Sequence, residues 1–337
     1  MAKFLDNQVI LVTGGTGSFG TAFIRHVLEN SNPRKLIIFS RDELKQFDMQ
    51  NAFQAHPKKD LLRFFLGDVR SYDRLKIAFR DVDYVVHAAA LKQVPAAEYN
   101  PFEFVHTNIS GAENVVRAAF DSNLKGVVAL STDKACSPIN LYGATKLVSD
   151  KIFTSAQHFV GRNSTKFSVV RYGNVLGSRG SVIPFFRKLI ADSADHIPIT
   201  DERMTRFWID MNQAIALVLD ALENAQGGEI FVPKIPSMKI TDLAKAMAPN
   251  LPQKIVGIRP GEKLHEVMIV EDDARNTFEM DNKYVLLPTY INKLAEHYTK
   301  IGAKQTPDGF SYASNTNTQW MDAATLQAKL NTLKTAA

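Results

Sequence analysis

Short β-branched and aliphatic runs recur through the first half of the chain: QVILVTG (8–14), KLIIFS (35–40), LLRFFLGDV (61–69), DYVVHAAA (83–90), GVVALST (126–132) and FSVVRYGNV (167–175). Between them lie stretches such as SFGTAFIRHVLENS and SGAENVVRAAFDSN, whose apolar positions fall three or four residues apart. Runs that are apolar throughout, instead of alternating with polar residues, predict strands buried on both faces. The amphipathic stretches predict the helices that cover them. The expected fold is therefore α/β, a doubly wound parallel sheet whose ligands bind at the carboxyl ends of its strands. After about residue 176 the rhythm breaks into mixed helices and short irregular strands with several Pro and Gly, as in GGEIFVPKIPSMKITDLAKAM. This predicts a smaller lobe over the ligand edge, with a division at 1–175 and 176–330 and some interleaving of the two.

Composition narrows the picture. The 337 residues are 45% hydrophobic and 22% charged, as in an ordinary soluble domain. No apolar run approaches the ~18 residues of a membrane span, and the N-terminal MAKFLDNQVILVTGG carries no cleavage site for a signal peptide. A cytoplasmic protein with no membrane partner is expected. The single Cys136 has no intrachain disulfide partner and no zinc set; it reads as a small packing residue, with a reactive thiol as the alternative. The net charge of +5 is spread along the chain, which favours a small polyanionic ligand over nucleic acid. His87, His106 and His265 show no metal spacing and read as hydrogen-bonded packing residues, so no metal is expected.

The first run ends in TGGTGSFG, with Gly14, Gly17 and Gly20 at three-residue spacing. Between a strand and a helix, such glycines permit a tight turn, close approach to a pyrophosphate and close helix–strand packing, while the helix N-terminus attracts the phosphates. Residues 1–175 thus read as a Rossmann-type dinucleotide domain, with Thr16, Ser18 and Phe19 in the same turn. The second run ends in Ser40-Arg41-Asp42, with Lys45 one turn on. Arg41 and Lys45 suit the 2′-phosphate of NADP. The alternative is that Asp42 or Glu43 takes the ribose hydroxyls and Arg41 faces solvent. Asp68 and Val69 fall where an adenine sits, Ala88 and Ala90 leave room beside the cofactor, and Thr107 with Asn108 can belong to its wall.

The fifth run ends in STDKACSP, followed by YGATK. Tyr142 and Lys146 lie one helical turn apart, and an ammonium there can lower the phenol's pKa so that Tyr142 takes a proton from a sugar hydroxyl; Thr132 can bond the same hydroxyl. Asp133 and Lys134 exceed what such a pair needs. They are either a structural ion pair or a further acid and base.

TGGTGSFG, STDKACSP, YGATK, RYGNVLGSRGSVIP and RPGEKLHE together resemble the extended short-chain dehydrogenase/reductase family, and within it the C5-inverting UDP-N-acetylglucosamine 4,6-dehydratases. The similarity runs to about residue 330. It implies oxidation of C4, loss of water across C5 and C6, and return of hydride to C6, giving UDP-2-acetamido-2,6-dideoxy-β-L-arabino-hex-4-ulose, the first step of pseudaminic acid synthesis. Asp133 is then the acid for the departing 6-hydroxyl and a neutral Lys134 the base for the C5 proton. The resemblance also implies substrate contacts from Lys92, Asn174, Arg206, Arg259 and Glu262, with Val175 beside the nicotinamide, and a homo-oligomer, commonly a hexamer. Glu262 pairing with Arg259 is the structural alternative. A retaining dehydratase, a UDP-sugar 4-epimerase and a non-catalytic NADP-binding scaffold are the competing readings.

Overall fold

The computed structural model describes residues 2–161, 164–289 and 291–335, with only the backbone of Asn292 and of residues 332–335. Six parallel strands form the first part of the sheet: β1 (Val9–Thr13), β2 (Lys35–Ser40), β3 (Leu62–Leu66), β4 (Tyr84–His87), β5 (Gly126–Thr132) and β6 (Lys166–Tyr172). Their spatial order is 3-2-1-4-5-6, so the chain reverses direction across the sheet between β1 and β4. That reversal opens a crevice at the carboxyl ends, where a ligand can enter between diverging loops. β1 and β5 are apolar along their length because helices cover both faces; Ile10, Leu11, Val12, Val127 and Val128 are all buried.

The chain returns to the sheet late. Ile230–Pro233 pairs in parallel with β6, and Lys283–Leu286, Thr277–Glu279 and Lys304–Gln305 follow as antiparallel strands, making ten in all. Segments beyond residue 176 therefore share the main core, where Ile215, Val218, Phe231 and Val285 join β1 and β5 residues. A second, smaller core gathers Leu176, Ile183, Phe186, Ile197, Trp208, Met238, Leu243 and Leu326. Asn174–Val175, which continues the apolar run of β6, leaves the main sheet and pairs with Thr205–Ile209. Gly173 allows this departure: a Cβ there would lie 2.6 Å from Phe207 Cβ.

One buried polar network ties the sheet centre to the second half. Asp150 accepts from Ser131 Oγ at 2.8 Å and from Arg171 Nη2 at 3.2 Å, and Arg171 Nη1 donates to the carbonyl of Met268. Both charged side chains are almost fully buried, so removing either would strand its partner at a cost of roughly 3–5 kcal/mol. Among the described residues no helix is long and apolar enough to cross a membrane.

Candidate active site

At the carboxyl ends, β1, β4, β5 and β6 finish side by side at Thr13, His87, Thr132 and Tyr172. The residues after them line a cleft of about 1180 Å³ between the sheet and the smaller core. Every site residue expected from the sequence lines this cleft except Asp133 and Asn108, which are both buried.

The nucleotide end is built by the turn after β1. Gly14 has φ +65°, and a Cβ there would lie 2.8 Å from Ala89, so this turn and the Ala88–Ala90 segment can approach only without a side chain. Helix α1 (Ser18–Asn30) begins at Gly17, which caps it with no side chain and leaves the first amides for a ligand. Thr16, Ser18, Phe19 and Gly20 complete this wall. Thr107, on a π-helical turn at Val105–Ser110, also faces the cleft, and its buried Oγ1 has no hydrogen-bond partner. An orphaned hydroxyl beside a phosphate-shaped turn fits a dinucleotide. Asn108 is structural: it exchanges bonds with the Leu91 backbone and donates to Thr145 Oγ1.

Past β2, Asp42 caps the following helix by accepting from the Lys45 amide at 3.0 Å, and Lys45 Nζ lies 2.7 Å from its other oxygen. Arg41 is half exposed, 3.8 Å from Asp68, while Asp68 is already neutralised by Arg70 at 2.8 Å. Arg41 is thus the cation least committed to the protein here. Ser40, Val69 and Ala90 line the same end.

The reacting end is held by two close approaches. A 3₁₀ turn, Asp133–Ala135, follows β5, capped by Thr132, whose Oγ1 accepts from the Lys134 amide and donates to Asp133 Oδ1 at 3.0 Å. The Tyr142 helix, Leu141–Ala156, packs on that turn through Gly143, where a Cβ would lie 2.2 Å from the Lys134 carbonyl oxygen. Asn140 caps the helix by accepting from the Gly143 amide and donates to the Gly261 carbonyl at 2.7 Å, joining it to the 259–266 segment.

Burial pushes the Tyr142 phenol up to about 12, against the pull of Lys134 and the Thr132 hydroxyl. Lys134 thus joins Lys146, the lysine expected from the sequence, as an ammonium at the phenol's end of the cleft. Lys146 is buried and burial lowers its pKa, opposed by Asp150. Burial raises the Asp133 carboxyl pKa, with Lys134 opposing and Glu266 assisting, which favours its acid form. Burial also works against the Lys134 ammonium, yet Asp133 at 3.0 Å and Glu266 at 3.2 Å outweigh it and hold Lys134 above the usual lysine range. The neutral Lys134 that the resemblance implies for deprotonation of C5 is thus disfavoured in the free protein.

In the substrate lobe, Arg206 spends its guanidinium on protein acceptors, including the Thr205, Leu264 and Lys263 carbonyls, with Glu262 3.5 Å away. Glu262 thus faces Arg206, leaving Arg259 exposed on the cleft rim. Lys92 donates to the Arg179 carbonyl, and its pKa is lowered by burial and by Lys134. Asn174 and Val175 are presented by their pairing with Trp208 and Ile209. Glu266 and Lys263 also line the cleft. Glu266 closes the RPGEKLHE segment but lies 132 positions from Lys134, and only the fold brings them together.

His87 and His265 are bonded to Thr13 and Thr205, and burial pushes His87 down to about 3; His106 is exposed. Cys136 is buried and its thiol is pushed up to about 11 by burial, which makes it inert. Among the described residues no group of three His, Cys, Asp or Glu is placed to hold a metal.

This sheet, turn and Tyr-Lys helix define an extended short-chain dehydrogenase/reductase. Residues 10–288 match the family described as "Polysaccharide biosynthesis protein", and the chain belongs to that family. It is 55% identical over 325 residues to "UDP-N-acetylglucosamine 4,6-dehydratase (inverting)" of Campylobacter jejuni strain 81-176, covering 94% of this chain and 95% of that protein. It is 44% identical over 288 residues to "UDP-glucose 4-epimerase" of Rickettsia bellii OSU 85-389, 83% of each chain. Among solved structures, Pen from Bacillus thuringiensis superposes with a TM-score of 0.89 at 36% identity, covering 98% of this chain and 99% of that one.

Proposed function

We propose that this protein is an inverting UDP-N-acetylglucosamine 4,6-dehydratase, the activity in the Campylobacter relative's name. The observation that carries the reading is the Asp133–Lys134 pair packed against the Tyr142 helix at the reacting end of the cleft. A 4-epimerase or simple dehydrogenase needs only the phenol and its lysine; elimination of water needs a further acid and base. A nicotinamide dinucleotide, when bound in the glycine turn, accepts hydride from C4 and returns it to C6. Tyr142 takes the C4 hydroxyl proton, with Thr132 bonding the same oxygen. Asp133, whose acid form burial favours, supplies the proton for the departing 6-hydroxyl through Thr132, whose hydroxyl donates to Asp133 Oδ1 at 3.0 Å and rotates to accept the acid proton. Lys134 takes the C5 proton, acidified by the 4-keto group. Arg259, Lys92, Asn174 and Glu262 hold the UDP-sugar. Retention at C5 is the alternative outcome on the same scaffold.

Proton NMR of the protein with UDP-N-acetylglucosamine in deuterated water tests this. A 6-deoxy-4-keto product with deuterium at inverted C5 is expected; a C4 epimer that keeps its 6-hydroxyl would return Asp133 and Lys134 to a structural role.

The half-exposed Arg41, only loosely paired with Asp68, and the commitment of Asp42 to its helix cap support NADP over NAD. Arg41→Ala is expected to weaken NADP about 10–100-fold, the equivalent of one charge-assisted hydrogen bond, and to leave NAD affinity nearly unchanged. Fluorescence titration with both cofactors measures it, and equal losses for the two would count against a 2′-phosphate contact. A cytoplasmic homo-oligomer feeding pseudaminic acid synthesis, with no nucleic-acid or membrane partner, completes the proposal; light scattering of the purified protein reports the assembly.

A further inference from the structure

Lys134 has two carboxyl neighbours, and the reaction above uses only one of them. The second, Glu266, places Oε1 3.2 Å from Lys134 Nζ and 3.7 Å from Arg206 Nε. Its side chain is 2% exposed yet lines the cleft, and Oε2 has no hydrogen-bond partner. Its backbone is fixed from both directions: the amide donates to Ser314 Oγ at 2.9 Å, and the carbonyl accepts from the Ser314 amide at 2.8 Å. Ser314 Oγ is itself paired with Thr205 Oγ1 at 2.7 Å. A carboxylate with a free oxygen is expensive to bury, and Lys134 already has an acceptor in Asp133 Oδ1 at 3.0 Å.

We propose that Glu266 is the positioning residue that makes Lys134 a base, by receiving its proton before C5 is deprotonated. The inference rests on the dehydratase reading. Lys134 Nζ gives a proton to Glu266 Oε1, leaving an amine and a neutral carboxylic acid. The amine takes the C5 proton and becomes an ammonium, while Asp133 gives up its proton to the departing 6-hydroxyl, which leaves as water. A solvent proton then reaches C5 on its opposite face, as inversion requires, and Glu266 releases its own proton to solvent, which restores the carboxylate beside the Lys134 ammonium. The proton that Tyr142 took from the C4 hydroxyl balances the one Asp133 lost, and Thr132 lies between them as the route of return.

The charges around the pair set its resting form, against which the exchange must work. Asp133, Glu266, Arg206, Lys92 and Tyr142 face Lys134, and Arg206 and Lys263 face Glu266. Burial raises the Glu266 pKa, but Lys134, Arg206 and Lys263 together hold it below the usual range. The resting pair is thus ionic, and a sugar that displaces water from the cleft favours the neutral pair, because the charged forms lose solvation.

The test compares wild type, Glu266→Gln and Glu266→Asp on UDP-N-acetylglucosamine in deuterated water across pH, with borodeuteride quenching to trap the 4-keto-6-hydroxy sugar. The Gln variant is expected to form that trapped sugar as wild type does, which shows a folded, substrate-binding protein. Its water loss should fall about 100-fold or more at neutral pH. The loss should lessen about tenfold per pH unit upward, because solvent must now deprotonate Lys134. The Asp variant, which keeps the carboxylate, should recover much of the rate and the wild-type pH profile. Water loss at the wild-type rate in the Gln variant would overturn the inference. So would a deficit identical at every pH, or loss of the trapped sugar along with the product. Absence of dehydration in wild type would instead overturn the reading on which it rests.

Discussion

Lys134→Ala is expected to lower the rate of water loss about 10³-fold, while oxidation at C4 continues and the 4-keto-6-hydroxy sugar accumulates. Lys134 is the group through which Asp133 and Glu266 meet: it lies 3.0 Å from one and 3.2 Å from the other. Without its charge both carboxyls lose their principal counter-ion, so the Asp133 pKa climbs further and Glu266 loses the largest influence holding it down. The variant therefore keeps an acid but no base. Rapid quench with borodeuteride, followed by mass spectrometry of the sugar, separates the two steps. Dehydration by this variant at the wild-type rate would assign the C5 proton to another group.

Tyr142→Phe is expected to stop the reaction one step earlier, with about 10³-fold less C4 oxidation and no trapped keto sugar. In the free protein burial holds the phenol near 12, so little phenolate exists at neutral pH. The C4 oxidation rate in wild type should accordingly rise with pH as phenolate grows, and the residual rate of the Phe variant should not. UDP binding should survive, because the hydroxyl removed belongs to the reacting end. A Phe variant that oxidises C4 normally would transfer the base role away from Tyr142.

The two variants share a helix-and-turn junction that the sequence displayed only in part. The runs that became β1 to β6 were legible because a strand covered on both faces must be apolar along its whole length. KLIIFS and GVVALST coincide with β2 and β5 at both ends. The glycine turn and the Tyr-Lys spacing were legible because each is a local constraint. Asn174–Val175 was read as an extension of β6, since apolar character does not reveal a change of sheet at Gly173. The later strands were harder still: Ile230–Pro233 and Lys283–Leu286 are four residues each, too short to establish a period, and their partners are remote in sequence.

Charge state was the least legible property. Asp133 and Lys134 stand together in the sequence, but the second group that raises the Lys134 pKa, Glu266, arrives from the far side of the fold. Arg206, expected to contact the substrate, is largely engaged by backbone carbonyls of the 262–266 segment. Arg259 is left exposed on the cleft rim.

The anchoring of Glu266 by Ser314 has a consequence for biosynthesis. On the ribosome, β1 to β6 can begin to pack as they emerge, since their pairings lie within the first 172 residues. Glu266 takes its place only when residue 314 has left the exit tunnel. Translation thus lays down the six parallel strands well before the segment that fixes Glu266 in the cleft.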